Sequence, residues 1–384
     1  MRVLVTGGVG FIGIHLARKL IDHNVDVVLM DNLSAQIHGE MPVIPNFILF
    51  LKKGVTFLRG DVRVKEDLCR AIEGVDAVVH LAAETGTGQS MYEISRYFDV
   101  NVQGTANLLD VLQNNKSKNK VRALIVAASR AVYGEGSYTC HDHGLVFPDS
   151  RKNVRMSVGD FELYCPECGK VVSMVATEEI APFRPISIYG LTKQVQEQAV
   201  LMHARTNGLN GFALRYQNVF GPGQSLKNPY TGILAVFSNL ARQGQQIEVY
   251  EDGLESRDFV YIDDVVETTI RAVMYDGTFV GALNVGSGEA VSVLTVAHEI
   301  NSYFGNQSEI RVSGAFRLGD IRHNKATTNR LESILKYKPS TTFREGLHNF
   351  LAWAATQPLD NKTAYQKSVS ELLERGLMGR GSSA

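Results

Sequence analysis

The sequence has little of what marks a secreted or membrane-bound chain. Its 384 residues hold four cysteines, too few for a disulfide scaffold of this length. No uninterrupted apolar run reaches the roughly 18 residues that would suggest a membrane span. No basic and then apolar leader precedes the first strand-like run at Arg2, so the expectation is a cytoplasmic protein without a membrane partner. An excess of one charge is also missing. Lys and Arg number 39 against 40 Asp and Glu, so no basic field favours nucleic acid, and an anionic ligand must be held by a few local arginines. No internal repeat is visible.

What is there is an alternation. Short β-branched runs at Arg2–Thr6, Asp26–Met30, Val55–Arg59, Ala77–Leu81, Arg122–Ala127 and Gly211–Arg215 are separated by helical periods at Phe11–Asp22, Lys65–Ala71, Asn101–Leu112 and from Tyr189 to about Thr206. This predicts an α/β fold, a Rossmann-type doubly wound parallel sheet. A Gly-, Pro-, Asp- and Cys-rich stretch at Gly134–Thr177 breaks the rhythm and reads as an insert. The expected organisation is a nucleotide-binding domain over 1–217 with the insert at 137–175. A smaller α/β substrate domain over 218–355 follows, some of its segments returning to the first sheet, and then a helix (Ala364–Leu373) and Gly/Ser-rich flexible tail within 356–384.

Gly7, Gly10 and Gly13 join the first strand to the first helix. That spacing gives a tight turn, close backbone approach to a pyrophosphate and close helix packing, with the helix N-terminus facing the phosphates. Asp31 ends the second strand, 18 residues beyond Gly13, where a carboxylate accepts from ribose hydroxyls and repels a 2′-phosphate; the cofactor is therefore expected to be NAD. Asp61 follows the third strand and is placed to meet the adenine edge. Tyr189 and Lys193 share a helix face, and the ammonium should favour the phenolate so that tyrosine works as a base. Ser129, at the carboxyl end of the fifth strand, can bond the same substrate hydroxyl.

The ordered set Thr6-Gly7-Gly8-x-Gly10-Phe11-Ile12-Gly13, His80-Leu81-Ala82-Ala83, Asn101-Val102-x-Gly104-Thr105, Ser129 with Val132-Tyr133-Gly134, and Tyr189-x-x-x-Lys193 resembles the extended short-chain dehydrogenases/reductases. Within them it is most similar to the nucleotide-sugar 4-epimerases, from Met1 to about Trp353 apart from the insert. The resemblance implies that Phe11, Ile12, Asn32, Val62, Leu81, Ala82, Ala83 and Asn101 complete the NAD site together with Tyr189 and Lys193. For a nucleoside-diphosphate sugar it implies Glu84, Thr85 and Ser129 at the hexose and Asn218 at the diphosphate. It also implies Tyr250 at the nucleobase, Arg257 and Arg317 at the phosphates and Asp320 at the ribose. Two guanidiniums on one diphosphate is sound chemistry, since each offers a planar fork of donors. Family members usually pair as homodimers through helices equivalent to those after Asn101 and Tyr189.

The resemblance leaves epimerase, dehydratase, decarboxylase and reductase open. Dehydratases of the family need an Asp-Glu pair directly after the Ser/Thr, and decarboxylases commonly have a glutamate there; this chain has Arg130-Ala131. A C4 epimerase needs neither: it oxidises the sugar to a 4-keto form, lets it rotate and returns the hydride. That isomerase is the expectation. Together with the insert, the Glu84–Ser90 loop resembles the branch acting on dTDP-L-rhamnose and dTDP-6-deoxy-L-talose. UDP-glucose or UDP-N-acetylglucosamine stays open as the substrate, and a non-catalytic NAD-sensing protein is the rival class.

In the insert, Cys140-x2-His143 and Cys165-x2-Cys168 read as two knuckles, with 21 residues between His143 and Cys165, which suits a structural, tetrahedral Zn²⁺ in a ribbon-like fold. His141 competes as a ligand. Four Lys/Arg against five Asp/Glu between Ser137 and Val175 argue against a nucleic-acid ribbon.

Overall fold

The computed structural model describes residues 1–39, 55–115, 120–226, 232–359 and 363–381. Its centre is a seven-stranded sheet. Strands β1 (Arg2–Thr6), β2 (Asp26–Asp31), β3 (Thr56–Arg59), β4 (Ala77–His80), β5 (Ala123–Ser129), β6 (Asn210–Tyr216) and β7 (Val280–Val285) lie in the order β7-β6-β5-β4-β1-β2-β3, every pair parallel. The order reverses between β1 and β4, which opens a crevice at the strands' carboxyl ends. Residue alternation feeds both faces. Val3, Val5, Val27, Leu29, Val79 and Ile125 enter one apolar cluster, and Leu4, Val28, Met30, Val78, Leu124 and Val126 enter the other. The doubly wound parallel architecture expected from the alternation is present.

Helix α1 (Phe11–Asp22) buries Gly13, Leu16, Ala17 and Leu20, one stripe at helical spacing. Helix α2 (Gly104–Asn114) starts later than its period suggested, because Phe98–Gln103, with Asn101 inside it, forms one wide π-helical turn. Helix α3 (Ile188–Asn207) is capped by the Ser187 hydroxyl, which accepts from Gly190 N at 3.0 Å. Its buried face is largely polar, with Lys193, Gln196 and Glu197 among it, and so depends on partners supplied by the sheet.

Beyond β6, short strands at Asn218–Phe220, Ser256–Tyr261 and Ala290–Ser292 form a small sheet. The rings of Phe220, Phe259 and Phe343 meet with centroids 5.1–6.0 Å apart, in a cluster continuous with one face of the central sheet. The insert forms a three-stranded antiparallel sheet of Tyr138–Cys140, Gly144–Val146 and Ser173–Met174. The end of the chain differs from the expected flexible tail. After helix α4 (Thr363–Glu374), Met378–Arg380 pairs antiparallel with Ala315–Arg317, and Phe316 packs so closely on Gly379 that a Cβ there would lie 2.5 Å from its ring. The last three residues lie outside the described ones. No helix among the described residues is long and apolar enough to cross a membrane.

Candidate active site

At the carboxyl ends of the strands lies a cavity of about 480 Å³, and next to it a second of about 240 Å³. The first begins at the glycine turn. Gly7 has φ +65°, and a Cβ there would sit 2.8 Å from the Ala82 backbone nitrogen; one on Gly13 would sit 2.6 Å from the Gly8 carbonyl. Gly10 precedes α1 without a side-chain cap, so the first-turn N–H groups face the crevice unshielded. Asp31 lines the same cavity; one carboxylate oxygen accepts from Val9 N at 3.0 Å and the other from Leu33 N at 2.8 Å. Asn32 donates to Asp61 at 2.9 Å, and Arg63 reaches Asp61 at 2.8 Å. Burial pushes the Asp61 carboxyl up, but the Arg63 and Asn32 hydrogen bonds outweigh it and hold it down to about 2. Phe11, Ile12, Val62, Leu81, Ala82, Ala83, Glu84 and Thr85 complete this part of the wall.

Asn101 is elsewhere. It is fully buried and does not reach the cavity; it clamps the Glu84 backbone, accepting from Glu84 N at 2.7 Å and donating to Glu84 O at 3.1 Å. Behind it His80 bridges the Thr6 hydroxyl at 2.7 Å and the Thr105 hydroxyl at 3.0 Å, and Gln196 of α3 also reaches Thr105, at 2.8 Å. Burial, with the Lys193 charge added, draws His80 down to about 3, so it stays neutral. This network joins β1, β4, α2 and α3 behind the cavity.

Ser129, Tyr189 and Lys193 converge in the first cavity. The Ser129 hydroxyl accepts from Ala131 N at 3.2 Å and hydrogen-bonds the Tyr189 phenol. The expected influence of Lys193 on Tyr189 is not what the structure shows. Lys193 donates to the Ala127 carbonyl at 3.0 Å, its Nζ stands 6.0 Å from the Tyr189 ring centroid, and burial draws its ammonium down to about 7. Burial pushes the Tyr189 phenol up, and the groups that pull it back toward ionisation are Ser129 and Arg130. The four-residue spacing put both side chains on one helix face, but the lysine turns into the sheet.

The second cavity gathers Asn218, Tyr250, Arg257, Arg317 and Asp320. Arg317 stacks over the Tyr250 ring, 4.9 Å from its centroid. Arg257 donates to Asp320 at 2.9 Å and to the carbonyls of Ser256 and Arg322 at 2.9 and 3.1 Å. Enclosure works against ionisation of Asp320, yet Arg257, Arg130 and Arg317 hold it down to about 2. Beneath them runs an ionic network that the motifs did not announce. Arg151 of the insert reaches Glu251 at 2.6 Å and Glu135 at 3.4 Å, and Arg322 meets Asp252 at 2.6 Å and Glu162 of the insert at 2.9 Å. The insert is thereby tied to the cavity wall, with the Phe161 and Phe316 rings adding an apolar contact at 6.4 Å. Two lining residues are not marked by any binding motif. In the sequence Arg130 reads only as a missing acid pair. Glu255, whose Oε2 is buried without a hydrogen-bond partner among the described residues and whose carboxyl burial pushes up to about 8, carries no motif of its own.

In the insert the four candidate ligand atoms of Cys140, His143, Cys165 and Cys168 lie within 4.8 Å of one another. Cys140 Sγ is 3.7 Å from Cys168 Sγ, and His143 Nδ1 is 3.6 Å from the sulfurs of Cys140 and Cys165. Zn–S bonds of about 2.3 Å require tetrahedral edges of about 3.8 Å, so these separations fit one ion. Gly169 (φ +69°) closes the second knuckle, its N–H donating to Cys165 O at 2.9 Å. His141 points outward, to Asp142 at 2.9 Å, and is not part of the cluster.

The chain is similar in sequence and fold to known proteins. The sequence profile of the NAD dependent epimerase/dehydratase family matches residues 3–147 and 165–286, its break falling between the two knuckles. The dTDP-L-rhamnose 4-epimerase of Burkholderia thailandensis is 37% identical over 361 residues, 94% of this chain and 96% of that protein. A putative UDP-glucose 4-epimerase of Methanocaldococcus jannaschii is 28% identical over 354 residues, 91% of this chain and 97% of that one. Among solved structures, the UDP-N-acetylglucosamine 4-epimerase of Methanobrevibacter ruminantium in complex with UDP-N-acetylmuramic acid has a TM-score of 0.73 at 27% identity, covering 93% of this chain and 99% of that one. The UDP-glucose 4-epimerase of Thermus thermophilus in complex with NAD has a TM-score of 0.70 at 26% identity, covering 93% of this chain and 100% of that one. With the profile on most of the sequence and a relative above one-third identity along nearly all of it, the chain belongs to the NAD dependent epimerase/dehydratase family.

Proposed function

We propose that the protein is an NAD-dependent C4 epimerase of nucleoside-diphosphate sugars. The observation that carries this is the convergence of Ser129, Tyr189 and Lys193 on one cavity that runs from the glycine turn to the arginine-lined second cavity. The dinucleotide fits the residues present: the uncapped start of α1, at a turn that tolerates no Cβ at Gly7, would hold its pyrophosphate, and Asp31 would accept from its ribose hydroxyls. When bound, NAD supplies reversible hydride acceptance. Tyr189, in its ionised form, takes the C4 hydroxyl proton and later returns it, while Ser129 holds the sugar oxygen beside it. Lys193, anchored on Ala127, fixes the helix that presents the tyrosine. Arg257, Arg317 and Asn218 hold the diphosphate, with Tyr250 at the nucleobase and Asp320 at the ribose.

Arg130-Ala131 provides no acid-base pair for dehydration and no glutamate for decarboxylation, which supports epimerisation. For the sugar, the similarity to a dTDP-L-rhamnose 4-epimerase supports the dTDP-L-rhamnose/dTDP-6-deoxy-L-talose pair. Incubating the NAD-loaded protein with dTDP-L-rhamnose, UDP-glucose and UDP-N-acetylglucosamine, followed by NMR, is expected to yield a C4 epimer of one of them. A stable 4-keto product or released CO₂ would overturn the reading.

The insert is read as a structural Zn²⁺ site of Cys140, His143, Cys165 and Cys168, supported by the near-tetrahedral spacing. Metal analysis is expected to find about one zinc per chain, lost together with thermal stability in Cys165→Ser. A native protein without metal that melts like its Cys165→Ser variant would remove zinc from this account.

A further inference from the structure

Arg130 stands apart from the other arginines around the cavities. Arg151, Arg215, Arg257 and Arg322 each meet a carboxylate at 2.5–2.9 Å. Among the described residues the Arg130 guanidinium has neither an ion pair nor a hydrogen bond, although it stands in the wall of the site. Its backbone follows Ser129 directly, in the tight turn Arg130–Tyr133 that ends β5. Thr87, Arg130, Asn218, Gly232 and Ile233 line both cavities, and of these Arg130 alone is charged.

The charged and titratable groups that face it are Arg257, Asp320, Tyr189 and Glu135. Asp320 is already taken by Arg257, at 2.9 Å. Burial and the neighbouring Arg257 both act against the protonated guanidinium and draw it down to about 10, so it remains a cation at neutral pH in surroundings that favour it poorly. The carboxylates near it, Asp320 and Glu135, are already paired with Arg257 and Arg151, so a half-buried cation here gains when a further anion arrives to meet it. Arg257 stands toward the second cavity and Tyr189 toward the first, which sets the region where that anion must lie.

We infer that Arg130 binds an anionic oxygen of the substrate at the junction of the two cavities, between the arginines of the diphosphate cavity and the reacting hydroxyl. The inference rests on the nucleotide-sugar reading above and adds a third cation to its clamp. Two substrate groups have this chemistry: the sugar-proximal phosphate, present in every nucleoside-diphosphate sugar, and the carboxylate of a nucleotide-linked hexuronic acid.

The test is calorimetric binding of UMP, UDP, dTDP, UDP-glucose and UDP-glucuronate to the NAD-loaded wild type, Arg130→Met and Arg130→Lys, each first checked for an unchanged melting profile. If the phosphate is the partner, Arg130→Met weakens UDP, dTDP and UDP-glucose roughly 10- to 100-fold and UMP by less than about threefold. Arg130→Lys recovers part of that loss, as a point charge without the planar fork. If the carboxylate is the partner, only UDP-glucuronate weakens. Equal affinities of wild type and Arg130→Met for all five ligands would overturn the inference alone. Failure of the wild type to bind any of them would instead overturn the nucleotide-sugar reading, and this inference with it.

Discussion

Replacing Tyr189 with phenylalanine is expected to lower kcat by roughly 10³-fold while leaving nucleotide affinity within about threefold. The change removes one oxygen, the atom proposed to take the C4 proton. The ring stays, with its edge-to-face contact to Tyr97 at 6.5 Å and its place at the start of α3. The loss should therefore fall on the chemical step and not on folding or binding. Single-turnover NMR at saturating nucleotide sugar, with a melting curve beside it, separates these. A Tyr189→Phe protein retaining more than about a tenth of wild-type kcat would exclude the phenol as the base.

The second large effect is on stability. Arg215→Met is expected to cost about 3–5 kcal/mol, because it leaves Glu197 buried without its cation. Arg215, on β6, meets both oxygens of Glu197, at 2.5 and 2.9 Å, and also donates to the Tyr133 hydroxyl at 2.7 Å and the Glu179 carbonyl at 2.9 Å. Glu197 lies one helical turn beyond Lys193, and Tyr133 closes the turn that follows Ser129, so Arg215 fastens the helix that carries Tyr189 to the turn that follows Ser129. Urea unfolding of Arg215→Met, Glu197→Leu and the double variant distinguishes the pair from its parts. Each single change should destabilise strongly, and the double change should recover much of the loss. A single-variant cost below about 1 kcal/mol would mean that water reaches the pair.

The sheet was legible because its strands are short, apolar and separated by amphipathic helices, so period alone marks Arg2–Thr6 or Phe11–Asp22. The glycine turn, Asp31 and the Tyr189/Lys193 pair were legible because their chemistry is local in sequence. What escaped is non-local. The contact of Lys193 with Ala127 spans 66 residues, and nothing in a four-residue spacing shows that the amine will turn into the sheet. Arg130 looks like an absent acid until Asn218, Gly232 and Ile233 fold around it. The short Met378–Arg380 strand reads as a loose end because its partner, Ala315–Arg317, lies some sixty residues earlier, and the cue for their pairing is the room Gly379 leaves for Phe316.

That last pairing bears on the order in which the molecule is put together. The wall of the second cavity draws on Thr87, Gly88 and Met91 from the first quarter of the chain and on Ser368, Leu372 and Leu377 from close to its end, and the bond between Tyr92 and Glu371 joins residues 279 positions apart. Closing a loop of that size carries an entropy that no local contact offsets early, so the Rossmann sheet can form well before this wall does. The same long-range contacts are the natural first place for partial opening in the native state. Hydrogen exchange at Leu377–Arg380 should then be slowed by a nucleotide sugar far more than exchange within β4 or β5, making the end of the chain the most sensitive reporter of an occupied pocket.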